Sequence, residues 1–197
     1  MGALIGAAKG LAMLNGALLA LGRWLGAFLL ASMVAAILAQ VWYRYVLGNA
    51  LAWPDEAARF LMLWMTGLMA PTAFRRGGFV AIDMIQLLFP RAVAAVLQLA
   101  LLALSLLVLV TAFRIGLSEL SGLGARFATS SLWYPSGLFP LEWAKVPRGW
   151  MMTSFHVGVT LLLLVNVELL LRALLGLFGR GAELPVIAQD TSLAGAE

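Results

Sequence analysis

The chain has no cysteine and a single histidine among its 197 residues. The first absence excludes disulfides, iron–sulfur clusters and cysteine-ligated zinc. The second means that a bis-histidine haem would need an axial ligand from another protein. His156 lies inside an apolar run and is read as a packing or hydrogen-bonding residue in preference to a haem ligand. Charge is scarce as well, with only 11% of residues Asp, Glu, Lys or Arg. None of the carboxylates falls near the middle of an apolar run, where a proton or ion carrier places its ionisable groups. No His-Glu-x-x-His, Walker loop or Gly-x-Ser-x-Gly elbow occurs. Gly122-Leu123-Gly124 lacks a third glycine and follows no strand pattern, so a dinucleotide site is not expected. These absences point to a chain that is not an enzyme and needs no cofactor or metal.

What the sequence does contain is apolar length. Trp24–Tyr43, Phe60–Phe74, Ala92–Phe113 and Gly149–Val167 carry no charged residue, and a helix of about 20 residues crosses a bilayer. A chain of this size could not bury four such runs in a soluble core. The net charge of +4 comes from Lys and Arg scattered singly between the runs, as at membrane ends, and forms no stripe for nucleic acid. The expected fold is all-α, a polytopic membrane protein with four transmembrane helices plus short interfacial helices, in one domain over 1–180. The spans are expected over 24–43, 54–74, 92–113 and 149–171, with an interfacial helix over 79–89 and a disordered tail over 181–197.

Local signals refine this outline. Pro54 with Asp55 and Glu56 reads as a helix start, because proline suits the first helical position and carboxylates favour the positive end of the dipole. That start lengthens the second apolar run, which alone is too short to span. Residues 1–22 read as an interfacial helix or a lead-in to the first span, rather than a cleaved signal peptide. Gly2, Gly6 and Gly10, and again Gly22 and Gly26, recur every fourth residue. That spacing lets helices approach closely, but a Gly- and Ala-rich chain also produces it without meaning. The loop Arg114–Arg148 holds Pro135, Pro140 and Pro147 beside Trp133, Tyr134, Phe139 and Trp143, and is expected to be ordered at the surface. Glu168 and Arg172 are i,i+4 partners. The Arg75-Arg76 pair, in a short loop without adjacent acids, favours a cytoplasmic N-terminus.

One polar constellation stands out: Trp53, Asp55, Glu56, Arg59 and Trp64 on one helix, with Arg44 across a short turn. Glu56 and Arg59 are i,i+3 neighbours. They form either an interfacial salt bridge between themselves or a charged pair facing a partner protein.

The run from Val41 to Ile85 resembles the small (Q-type) membrane subunit of tripartite ATP-independent periplasmic (TRAP) transporters. The resemblance is carried by Tyr43-Arg44-Tyr45, Trp53, Asp55-Glu56, Arg59, Trp64, Arg76-Gly77 and Asp83, and by the later stretch Trp143…Pro147. Phe79 departs from the pattern, where histidine is expected. The resemblance implies a non-catalytic subunit of the bacterial inner membrane, with both termini cytoplasmic. It would scaffold a large membrane subunit that carries sodium and an organic acid, delivered by a periplasmic binding protein, with membrane lipids around it. It further implies a partner-subunit interface at Arg44, Trp53, Glu56, Arg59 and Trp64. A binding-protein contact is implied at Trp133, Tyr134, Trp143 and Lys145, and a cytoplasmic boundary at Arg75, Arg76 and Asp83. The competing expectations are a membrane anchor for a redox enzyme and a stand-alone carrier or channel.

Overall fold

A computed structural model describes residues 2–77, 90–138 and 141–178, with Pro185 and Ile187. The helix expected over 79–89, with Asp83, and all of the tail 181–197 except those two residues lie outside the described residues. In chain order the elements are α1 (Gly2–Tyr45), α2 (Trp53–Arg75), α3 (Arg91–Ser121), a short α4 (Leu123–Arg126), β1 (Ala128–Leu138), β2 (Leu141–Pro147) and α5 (Gly149–Leu177).

Among the described residues three helices are long and apolar enough to cross a membrane: Leu4–Tyr45 of α1, Val93–Ser121 of α3 and all of α5. Helix α2, with Asp55, Glu56 and Arg59 in its first turns and Arg75 in its last, is not among them. The first helix is continuous over 44 residues. Residues 2–22 are therefore helical and run without a break into the first apolar run. Gly48 and Gly77 adopt φ of 67° and 89° just beyond α1 and α2, the left-handed conformation that lets a chain leave a helix sharply.

The all-α expectation is corrected between α4 and α5, where β1 and β2 form an antiparallel pair. The reason is local. Thr129, Trp133, Tyr134, Trp143 and Val146 are β-branched or aromatic and fit a pleated surface. Two of the prolines that suggested a loop sit where a ladder tolerates them, Pro135 beside a register irregularity and Pro147 at the last strand position, while Pro140 lies outside the described residues. Helix α3 also runs past Arg114 to Ser121, which shortens the expected loop from its N-terminal side.

The chain divides into two compact units, to each of which α1, α2, α3 and α5 contribute. In the unit formed by Met1–Leu21, Ala70–Ala112 and Val159–Glu197, α1 buries Ile5, Ala8, Ala12, Asn15 and Leu19. Their three- and four-residue spacing is one face of a helix. Ile5 and Ala8 pack on Leu175, with Leu171 alongside.

In the unit formed by Gly22–Met69 and Phe113–Gly158, glycines set the helix contacts. A Cβ on Gly22 would lie 3.0 Å from the Leu68 carbonyl oxygen, and one on Gly26 only 2.5 Å from Met69 Cγ. Helices α2 and α5 approach more closely still. A Cβ on Gly67 would sit 2.6 Å from the Ser154 oxygen, and one on Gly158 2.8 Å from Gly67 Cα. The expected small-residue contact is therefore real at Gly22 and Gly26, while Gly2, Gly6 and Gly10 face open space. His156 stacks on Phe113 with ring centroids 4.5 Å apart, and Gly116 leaves room for its imidazole. The packing role expected for this histidine is the one observed.

Candidate functional site

Two polar centres organise the chain, one in each unit. The first ties the hairpin to α2. Glu56, in the first turn of α2, accepts a hydrogen bond on Oε1 from the Ser130 backbone N–H (3.0 Å). Its Oε2 accepts from the Ser131 N–H and the Ser131 hydroxyl, both at 2.6 Å. These donors solvate the carboxylate where burial would otherwise disfavour its charge. Neither oxygen is paired with Arg59, whose side chain is exposed. Glu56→Ala is expected to loosen the hairpin by about 1–2 kcal/mol, the scale of hydrogen bonds to a charged group. Limited proteolysis within 128–147 should speed up in that variant, and an unchanged rate would show that the latch contributes nothing.

The hairpin has two unlike faces, because successive strand residues alternate. Trp133 lies opposite Lys145, with the ammonium 5.3 Å from the indole centroid, and Pro135 lies opposite Trp143. Both tryptophans and the lysine are exposed. The other face carries Tyr134, opposite Ala144 and 5.2 Å from the ring of Trp150, together with buried Val146. Of the four residues expected at a binding-protein contact, Trp133, Trp143 and Lys145 thus share an outer face. Tyr134 instead packs inward.

The expected partner-interface set divides in the same way. Arg44, Trp53 and Arg59 are exposed, and Arg44 lies over the ring of Tyr45 at 5.7 Å. Glu56 is engaged by the hairpin. Trp64 is half-buried, tilted against Phe60 with centroids 6.4 Å apart, and its buried indole N–H has no partner among the described residues.

The second centre is a buried charge cluster that sequence reasoning found only in part. Arg75, expected at the cytoplasmic boundary, turns inward. It donates from Nε to Glu168 Oε2 at 3.0 Å, and from Nη2 to Glu168 Oε1 at 2.7 Å and to the Ala12 carbonyl at 2.9 Å. Asn15 Nδ2 donates to Glu168 Oε2 at 2.7 Å and to the Leu164 carbonyl at 3.2 Å. Arg172 donates from Nε to Glu168 Oε1 at 3.0 Å. Its Nη2 is also close, 2.9 Å from that oxygen, but is not aligned to donate. The Glu168 side chain is fully buried, and those of Arg75 and Arg172 are only 15% and 16% exposed. The Glu168–Arg172 spacing was legible as an i,i+4 pair. The joining of Arg75 and Asn15 had no linear signal, since both come from distant segments. Arg76 is half-buried.

Among the described residues no group of three or more His, Cys, Asp or Glu is placed to hold a metal. Apolar helices of membrane length, with their polar groups tied to one another and to the hairpin, define a small polytopic membrane protein. The family profile "Tripartite ATP-independent periplasmic transporters, DctQ component" matches residues 33–176, and the chain belongs to that family. It is the small permease subunit of a TRAP transporter, a component of a kind that is generally non-enzymatic. Membership implies a large membrane subunit and a periplasmic binding protein as partners, in the bacterial inner membrane. No curated protein matches the chain.

Proposed function

We propose that this chain braces the large subunit of a sodium-coupled transporter for an organic acid and carries no substrate itself. The observation that supports this most is Glu168. The carboxylate buried in α5 is gripped by two guanidiniums and an amide. Such a charge serves structure, whereas a sodium site needs oxygens free to bind and release the ion.

In this reading α2 is a fourth span over 54–74, in keeping with its backbone approach to α5 at Gly67 and Gly158. The termini are cytoplasmic and the hairpin is periplasmic, where Trp133, Trp143 and Lys145 present an aromatic and cationic surface to the binding protein. Arg44, Trp53 and Arg59 meet the large subunit, with Glu56 and Trp64 supporting them from behind.

The test is co-expression of the tagged chain with its large subunit and recovery of both in mild detergent. Trp53→Ala and Arg59→Ala should each lower the recovered large subunit about tenfold, as truncations of aromatic and arginine anchors do at interface centres. Lys9→Ala, on an exposed position of α1, should leave recovery unchanged. Arg172 is no neutral control, because it is bound to Glu168. Equal recovery from all three variants would remove the bracing surface from this face.

A further inference from the structure

We propose that the cleft between α3 and α5 binds the headgroup of an anionic phospholipid, a site that rests on the membrane placement above. The cleft is an open groove of about 500 Å³ lined by Ala95 and Gln98 of α3 and by Leu169, Arg172, Ala173 and Gly176 of α5. Two of these residues are polar and the others are apolar or small. A phosphate-bearing headgroup needs donors at one point and apolar wall beneath it for the chain. Gly176 adds depth, since a Cβ there would meet no atom within 4 Å.

Charge selects the ligand. Arg75 and Arg172 share the carboxylate of Glu168, so among the described residues two positive groups face one negative, one positive charge in excess. A surplus cation among apolar helices draws an anion. Arg172 faces the cleft with hydrogen-bonding capacity left. Its Nε is held by Glu168 and its Nη1 donates to the Pro185 carbonyl at 2.9 Å, which leaves, among the described residues, the second Nη1 hydrogen and those of buried Nη2 without an acceptor.

Depth selects a lipid over a free anion. Gln98 lies two turns from the start of α3, Arg172 lies in the last turns of α5, and Arg75 ends α2. Helix ends carrying arginine mark the headgroup level of a bilayer. Gln98 is exposed and can donate to a headgroup oxygen beside Arg172.

The test is native mass spectrometry of the full chain released from mild detergent, with phosphatidylglycerol or phosphatidylcholine added. Phosphatidylglycerol should be retained about fivefold more, the worth of one cation at an anionic surface. Gly176→Phe should fill the cleft and abolish that preference while the lipid-free melting temperature stays unchanged. Gln98→Leu should weaken the preference without disturbing the Arg75–Glu168 pair. Equal retention of the two lipids, or full retention by Gly176→Phe, would overturn the proposal. Displacement of the lipid by millimolar inorganic phosphate would also overturn it, by making the site one for a free anion. So would phosphatidylglycerol binding seen only after Glu183, Asp190 and Glu197 are neutralised, because the tail would then be the resident anion.

Discussion

Glu168→Ala is expected to destabilise the chain by about 3–5 kcal/mol, the usual cost of removing one partner from a buried ion pair. The carboxylate has no exposure, and its loss leaves the guanidiniums of Arg75 and Arg172 and the amide of Asn15 without their shared acceptor. Among the described residues Arg75 would keep only its bond to the Ala12 carbonyl. The readout is thermal unfolding in mild detergent, followed by tryptophan fluorescence. Glu168→Gln should recover little of the loss, because its amide oxygen accepts a hydrogen bond but does not neutralise two cations. Replacing Arg75, Glu168 and Arg172 together by leucine should restore most of it, since an apolar set of similar volume avoids the desolvation of the charges. A Glu168→Ala variant within about 0.5 kcal/mol of the parent chain, the range of ordinary surface substitutions, would mean that the cluster carries no buried charge.

Gly158→Val should have the second large effect. Its Cβ would lie 2.8 Å from Gly67 Cα and 3.0 Å from the Gly67 oxygen, so the atoms in the way are backbone and cannot rotate aside. Helices α2 and α5 would have to separate. Overpacking of this kind costs about 3 kcal/mol at the upper end of its range. Gly67→Val meets the Ser154 carbonyl and should behave alike. Gly6→Val and Gly10→Val place their Cβ in open space and serve as controls, with expected changes within about 0.5 kcal/mol. If all four variants melted together, the close approach at Gly67 and Gly158 would not be a determinant of stability.

The contrast between these glycines shows where sequence reasoning stops. Gly2, Gly6 and Gly10 have the same spacing as Gly22 and Gly26, yet only the latter pair faces a neighbouring helix in its unit. In a soluble helix the polar face marks the outside. Helices apolar on every side lose that mark, so their contact face is decided by packing. The same limit explains Arg75. As a sequence feature it closes a span beside Arg76 and reads as a boundary charge. Its inward turn depends on Glu168, more than ninety residues away along the chain. Glu56 was legible as a helix-start carboxylate, but its hydrogen bonds lie on a hairpin masked by prolines.

Taken alone, the sequence pointed to membrane residence, to three helices of membrane length and, by resemblance, to the family. Each rests on apolar length or on the order of residues along the chain, and neither needs to know which surfaces meet. It also assigned His156 to packing or hydrogen bonding in preference to haem, because one imidazole cannot supply two axial ligands. Only the tertiary structure decided which glycines are contacts, that Glu56 holds the hairpin, and that Glu168 gathers Arg75, Arg172 and Asn15. Those outcomes depend on distant segments converging, where burial makes an unpaired charge too costly to leave and so selects its partners.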